Sequence, residues 1–243
     1  MSKRTINAGV IGRAAAGADG WTQLTTVEQG TTVGDPGAVL ATATWSSGVL
    51  TMVPKNSATP QIDGRTENLP GVSALLSTLL PNFDFTKPGA RLEILVAIDS
   101  MPATTAKWGL CVGVADADIA TAATRNAALI HCFPNSATLW NVGALADAAV
   151  QTSVSQGSTQ PQYMLAEVSY NPDTLGLTLR GQVYNTAGTE QEITTFTGTA
   201  DTAGSLASLR LMLAAIKVDG TVAGQPTLQA RCWFRGIDGV PFP

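Results

Sequence analysis

The chain has 243 residues, enough for one large all-β domain or two small ones. Its formal net charge of -4 and pI near 4.9 supply no basic field to displace counterions, which argues against direct nucleic-acid binding. Only 13% of residues are charged, against about 25% in an average soluble domain, a surface suited to partial coverage by a partner.

Residues 1–20 are rich in Ala and Gly and show no sustained period. They read either as a disordered tail or as an arm that orders against a neighbouring subunit, with Lys3, Arg4, Ile6, Val10, Ile11 and Arg13 as its assembly residues. Asn7, Gly9, Gly12 and Arg13 interrupt any apolar core, so this start does not read as a signal peptide. A single β domain is expected over 21–243. From Trp21 onward Thr- and Val-rich text suits three or four strands, broken at Gly30, Gly34 to Gly37 and Ser47-Gly48.

Between Pro70 and Pro81, Val72, Leu75, Leu76, Leu79 and Leu80 keep helical spacing, and a short helix is expected there. Strand alternation then sets in: Leu92, Ile94, Val96 and Ile98, followed by Trp108, Leu110, Val112 and Val114. The Ala-rich stretch from Ala115 to Ala128, with Asp116 as a candidate N-cap, is a short helix or a long loop. Alternation resumes around His131 and Trp140, and the weakly hydrophobic stretch 143–161 reads as a mobile loop. A strand, a turn at Asn171-Pro172-Asp173 and a second strand with Leu175, Leu177 and Leu179 describe a hairpin. Leu209, Leu211 and Leu213, then Leu228, Ala230, Cys232 and Phe234, give two more strands. Short alternating runs bounded by turn residues describe an antiparallel sandwich or barrel. No stretch approaches 18 uninterrupted apolar residues, so no membrane span is expected.

Three cysteines, Cys111, Cys132 and Cys232, fall in strand-like runs rather than at ligand spacings, and read as buried free thiols made in a reducing cytoplasm. His131 is the single histidine. Strand parity turns it away from Cys132, while Cys111 could face it across paired strands. Asp116 and Asp118 lack the further ligands of a calcium loop. Sugar cleavage needs two facing carboxylates, and Glu93 with Asp99 is rejected on spacing and parity, while Glu167 stands alone. Phosphate-loop, dinucleotide and nucleophile-elbow motifs are missing as well. The expectation is therefore a non-enzyme with no catalytic residue, no metal and no cofactor. Among five tryptophans, Trp233 stands with Arg231 and Arg235 on the face opposite Cys232 and Phe234. With Trp140 these residues form the candidate interface or glycan-stacking surface.

In strand order and length, Trp21 to Asp238 resembles the concanavalin A-like, laminin G-like jelly roll. That resemblance implies an all-β sandwich of two antiparallel sheets with one or two short helices. The low-charge, Ala/Thr/Gly-rich text with a short arm and reduced cysteines is similar to tailed-phage virion proteins, above all capsid decoration, head-fibre or tail-associated subunits. This second likeness implies a structural protein of the virion, made in the host cytoplasm, with other capsid or tail proteins and copies of itself as partners. The alternative implied by the fold is a lectin-like module for host-surface glycans.

Overall fold

The structure, a computed structural model, describes residues 8–24, 42–53, 76–79, 90–101, 108–115, 127–134, 140–146, 149–157, 160–171, 176–185, 190–197, 210–217 and 227–237. Among them, helix α1 (Ala8–Ala15) precedes β1 (Thr22–Gln23), β2 (Thr42–Ser46), β3 (Val49–Val53), β4 (Leu76–Leu79), β5 (Arg91–Ser100), β6 (Trp108–Ala115) and β7 (Ala127–Pro134). Then follow β8 (Trp140–Ala146), β9 (Ala149–Gly157), β10 (Pro161–Asn171), β11 (Gly176–Asn185), β12 (Glu190–Thr197), β13 (Arg210–Lys217) and β14 (Leu228–Ile237). All their pairings are antiparallel.

An eight-stranded sheet runs β12-β11-β10-β5-β14-β3-β2, with β1 also against β14, and a six-stranded sheet runs β4-β13-β6-β7-β8-β9. The alternating residues fill the space between them. Leu92, Ile94 and Val96 of β5, Leu110, Val112 and Val114 of β6, Leu211 and Leu213 of β13, and Cys232 and Phe234 of β14 belong to one buried cluster. Ser47 and Gly48, with φ of 51° and 76°, close the two-residue turn between β2 and β3 that the sequence marks; positive φ at both positions matches the strand twist.

Two expectations fail. The helix between Pro70 and Pro81 is a strand at Leu76–Leu79, paired with β13 from Arg210↔Leu79 to Leu213↔Leu76. A short apolar run fits either period, and pairing satisfies backbone groups on that side of β13. The loop expected over 143–161 is mostly the β8–β9 hairpin, whose register shifts twice, between Trp140/Asn141 and between Ala144/Leu145. Its small β-branched residues suit strands although they contribute little hydrophobicity. The Gly30 and Gly34 to Gly37 breaks and residues 116–126 lie outside the described residues.

A larger correction concerns residues 8–20, which are neither a loose tail nor a free arm. Helix α1 ends in a Schellman motif: Ala18 N–H donates to Arg13 O at 2.9 Å and Gly17 N–H to Ala14 O at 3.1 Å, with Gly17 at φ 66° in the left-handed position that glycine tolerates. A tight turn at Asp19-Gly20, where both φ are positive, closes with Trp21 N–H on Ala18 O and folds the chain back. Val10, Ala14 and Trp21 then pack on Leu95, Ala97, Leu165 and Trp233, on the face of the eight-stranded sheet away from the main core. Val10 and Ala14 are thus engaged within the chain, Ile11 flanks the cluster, and Arg13 is exposed in an ion pair with Asp19 at 2.9 Å. Lys3, Arg4 and Ile6 lie outside the described residues.

A polar latch holds this cover beside its apolar contacts. Glu93, on the same face of β5 as Leu95, is 0% exposed and accepts from Arg235 Nε at 2.7 Å, the arginine side chain being 13% exposed. The same guanidinium lies 5.1 Å from the Trp21 ring centroid and donates through Nη1 to Asp19 O. A buried pair returns little net stability while intact, but removing one partner strands the other. Arg235→Met is therefore expected to cost about 3–5 kcal/mol in urea unfolding, with tryptophan emission shifting red as Trp21 and Trp233 become wet. A change below 1 kcal/mol would show that the latch is idle.

The cysteines are free and buried, as expected. Burial pushes the Cys132 thiol up to about 12 and raises that of Cys232 as well, and Cys132 Sγ sits 3.4 Å from Met164 Sδ across the core. Because the thiolate is the reactive form, a thiol reagent at pH 8 should label no cysteine in the folded protein and all three in denaturant. Rapid labelling of the native chain would contradict this packing.

Candidate functional site

Antiparallel register lines up side chains in rows across the outer face of the eight-stranded sheet, the face that carries α1. One row is Arg180 on β11, Glu167 on β10, Glu93 on β5 and Arg235 on β14, each directly opposite the next. Adjacent carboxylates repel, and here each is flanked on its other side by a guanidinium. The next row is Gln182, Leu165, Leu95 and Trp233, followed by Tyr184, Tyr163, Ala97 and Arg231. The helix and Trp21 close this face over β5, β14 and Leu165 of β10, and Tyr163 and Tyr184 pack against the rim of the same cluster. At the edge of the cover, on β10 and β11, Tyr163, Glu167, Arg180 and Tyr184 remain half-buried, and Gln182 is 7% exposed among them.

The two tyrosine rings are 6.3 Å apart between centroids and tilted by 59°. Tyrosine presents an apolar ring with a polar tip, and the neighbouring amide, carboxylate and guanidinium offer both donors and acceptors. A flat, hydroxyl-rich ligand can use both kinds of contact.

Of the residues singled out from sequence, Trp233, Arg231 and Arg235 share the outer face of β14, as parity requires. Their role as an open stacking platform is not what the fold presents. Trp233 is 4% exposed beneath the α1 cluster, and both arginines are engaged. Arg231 forks onto Asp99 with contacts of 2.6 to 3.1 Å and lies 5.7 Å from the Trp233 ring centroid. The Asp99 hydrogen bonds raise its pKa further above the usual guanidinium value. This pair is partly exposed, and screening leaves it roughly 0.2–1 kcal/mol. Trp140 opens β8 opposite Gly157, and its side chain is outside the described residues.

Glu93 and Asp99 share one face of β5, so parity does not separate them; each takes an arginine of β14 instead. Glu167 does not stand alone, since it faces Glu93 on one side and Arg180 on the other. Cys111 is directly opposite His131 in the β6–β7 register, the geometry that strand pairing allows. Asp116 and Asp118 lie outside the described residues, and among those described no group of three or more His, Cys, Asp or Glu converges. Sequence reasoning passed over Tyr163, Gln182, Tyr184 and Arg180. The signal lay in the hairpin pattern itself, because the register that pairs Asn171 with Gly176 also sets Tyr163 against Tyr184 and Glu167 against Arg180.

No protein-family model matches the chain, and no curated protein matches it. Solved structures resemble it in fold. A Lotus tetragonolobus seed lectin aligns with a TM-score of 0.50 at 13% identity, over 92% of this chain and 100% of the lectin. A protein of unknown function from Shewanella oneidensis MR-1 aligns at 14% identity over 92% of this chain and 80% of its own, with a TM-score of 0.45. An alginate lyase from Aplysia kurodai aligns at 9% identity over 81% and 86%, with a TM-score of 0.47. With its two antiparallel sheets and single described helix, the chain has the concanavalin A-like jelly-roll fold.

Proposed function

We propose that the protein is a glycan-binding module whose site is the half-open strip over β10 and β11. The observation that carries this reading is the Tyr163–Tyr184 pair on a sheet face whose next two rows carry Gln182 and then Glu167 with Arg180. Rings would stack on sugar faces while the polar groups exchange hydrogen bonds with hydroxyls, the usual division between apolar lining and a few orienting polar groups. The lectin-like fold supports the reading by analogy only, since one fold serves many functions. The facing carboxylates Glu93 and Glu167 do not favour cleavage in this reading, because Glu93 is covered and held by Arg235 and a hydrolytic pair must reach both sides of the scissile bond.

A second reading, a virion subunit docking on a capsid or tail lattice as a homo-oligomer, rests on the 13% charge content. The two separate on one protein sample. The glycan reading expects hits on a glycan array from a chain that need not self-associate, and the lattice reading expects assembly in light scattering without glycan hits. For the first, Tyr163→Ala and Tyr184→Ala should each weaken binding at least tenfold in titration calorimetry while the circular dichroism remains that of the folded chain. Unchanged affinity in both variants would place the site elsewhere, and binding to no glycan would sink the reading.

A further inference from the structure

The half-open strip continues past the carboxylate row to Arg91, Ser169 and Thr178. Arg91 opens β5 directly opposite Ser169 on β10, and Ser169 is directly opposite Thr178 on β11. All three are half-buried on the outer face. The other arginines described on this face are matched: Arg13 by Asp19, Arg231 by Asp99, Arg235 by Glu93, and Arg180 in register with Glu167. Arg91 differs. Its buried Nε–H has no acceptor among the described residues. Glu93, two residues along the same strand face, is turned to Arg235.

A permanently charged guanidinium with a buried, unanswered N–H is a group that native proteins rarely leave without an ion, a water or a ligand. Ser169 and Thr178 each carry a hydroxyl that can donate, and the only carboxylate of the next row on β10, Glu167, has Arg180 opposite it. Arg91 and the two hydroxyls together therefore present donors in excess, which calls for an anion.

We propose that Arg91, Ser169 and Thr178 form an oxyanion subsite at the end of the strip, which takes the carboxylate or sulfate ester of an acidic sugar. This rests on the reading of the strip as a glycan site and names its ligand class. The guanidinium fork suits a planar carboxylate bidentately and a tetrahedral sulfate oxygen pair nearly as well. The register adds a length. Tyr163 is opposite Ala97, six residues along β5 from Arg91, and at about 3.3 Å per residue the subsite and the tyrosine pair are roughly 20 Å apart. The ligand is thus an extended oligosaccharide rather than a single sugar.

The test is titration calorimetry of the full chain with uronic-acid oligosaccharides, sulfated oligosaccharides and the carboxyl-reduced, neutral counterparts of the first. An acidic ligand should bind at least tenfold more tightly than its neutral counterpart, less so at high salt, and whichever acidic class wins identifies the anion. Arg91→Gln should abolish that preference while leaving neutral binding intact, whereas Tyr163→Ala weakens both. Should Arg91→Gln fold poorly, Ser169→Ala with Thr178→Ala is expected to reduce the preference at least threefold. Equal affinity for acidic and neutral chains, or a preference that survives both variants, overturns the subsite but leaves the glycan reading standing. If no glycan of any class binds, both fall together.

Discussion

Strand β5 sits in the middle of the eight-stranded sheet with apolar side chains on both faces, and the second face must be covered by something other than the opposite sheet. Leu92, Ile94, Val96 and Ile98 enter the sandwich core, while Leu95 and Ala97 enter a separate cluster. Water on Leu95, Ala97, Leu165 and Trp233 would forfeit roughly 25 cal/mol for each Å² of apolar surface exposed. Helix α1 and Trp21 meet that demand, and the Schellman stop and the Asp19-Gly20 turn aim them at it. The N-terminal segment is therefore a part of the domain rather than an appendage to it.

The cover also divides the outer face into two unlike regions. Over β5 and β14 it buries the charge of Glu93 and leaves Arg235 to neutralise it at close range, where the low local dielectric strengthens their attraction. Over β10 and β11 the same register leaves Glu167, Arg180 and the tyrosines half-buried. Position relative to the helix, rather than residue type, decides which member of the facing carboxylates anchors structure and which is available to a ligand.

Much of this was legible in the sequence. Alternation placed β5, β6, β11, β13 and β14 and named their core faces, because a period of two with strong Leu, Ile and Val leaves little ambiguity, and the hairpin pattern added β10. The short or weakly apolar pieces were not legible: Leu76–Leu79 carries too few residues to separate one period from the other, and Val150, Thr152 and Val154 are a strand in a stretch whose average hydrophobicity suggests a loop. The helix was hidden for another reason. Val10, Ile11 and Ala14 make a narrow apolar stripe within Gly- and Ala-rich text, and only Gly17, seen as a C-terminal stop, marks it. The site was half visible. Parity put Arg231, Trp233 and Arg235 together correctly, but burial of Trp233 depends on a helix more than 200 residues away in sequence, which no local pattern reports. Cross-strand neighbours such as Glu93 and Glu167 likewise become neighbours only when β10 pairs with β5.

The sheet margins carry a final consequence. Chains usually protect exposed strand edges with lysine or proline, and this one has few charges to spend. Here the margins are guarded by shape. β4 and β2 are four and five residues long, β9 takes an extra residue at each of its two register shifts, and β12 takes one opposite Leu179/Gly181. Short or bulged edges make poor templates for a foreign strand. A surface poor in charge can thus belong to a chain that stays apart from its copies, and scarcity of charge, the feature that first suggests a lattice partner, does not require one.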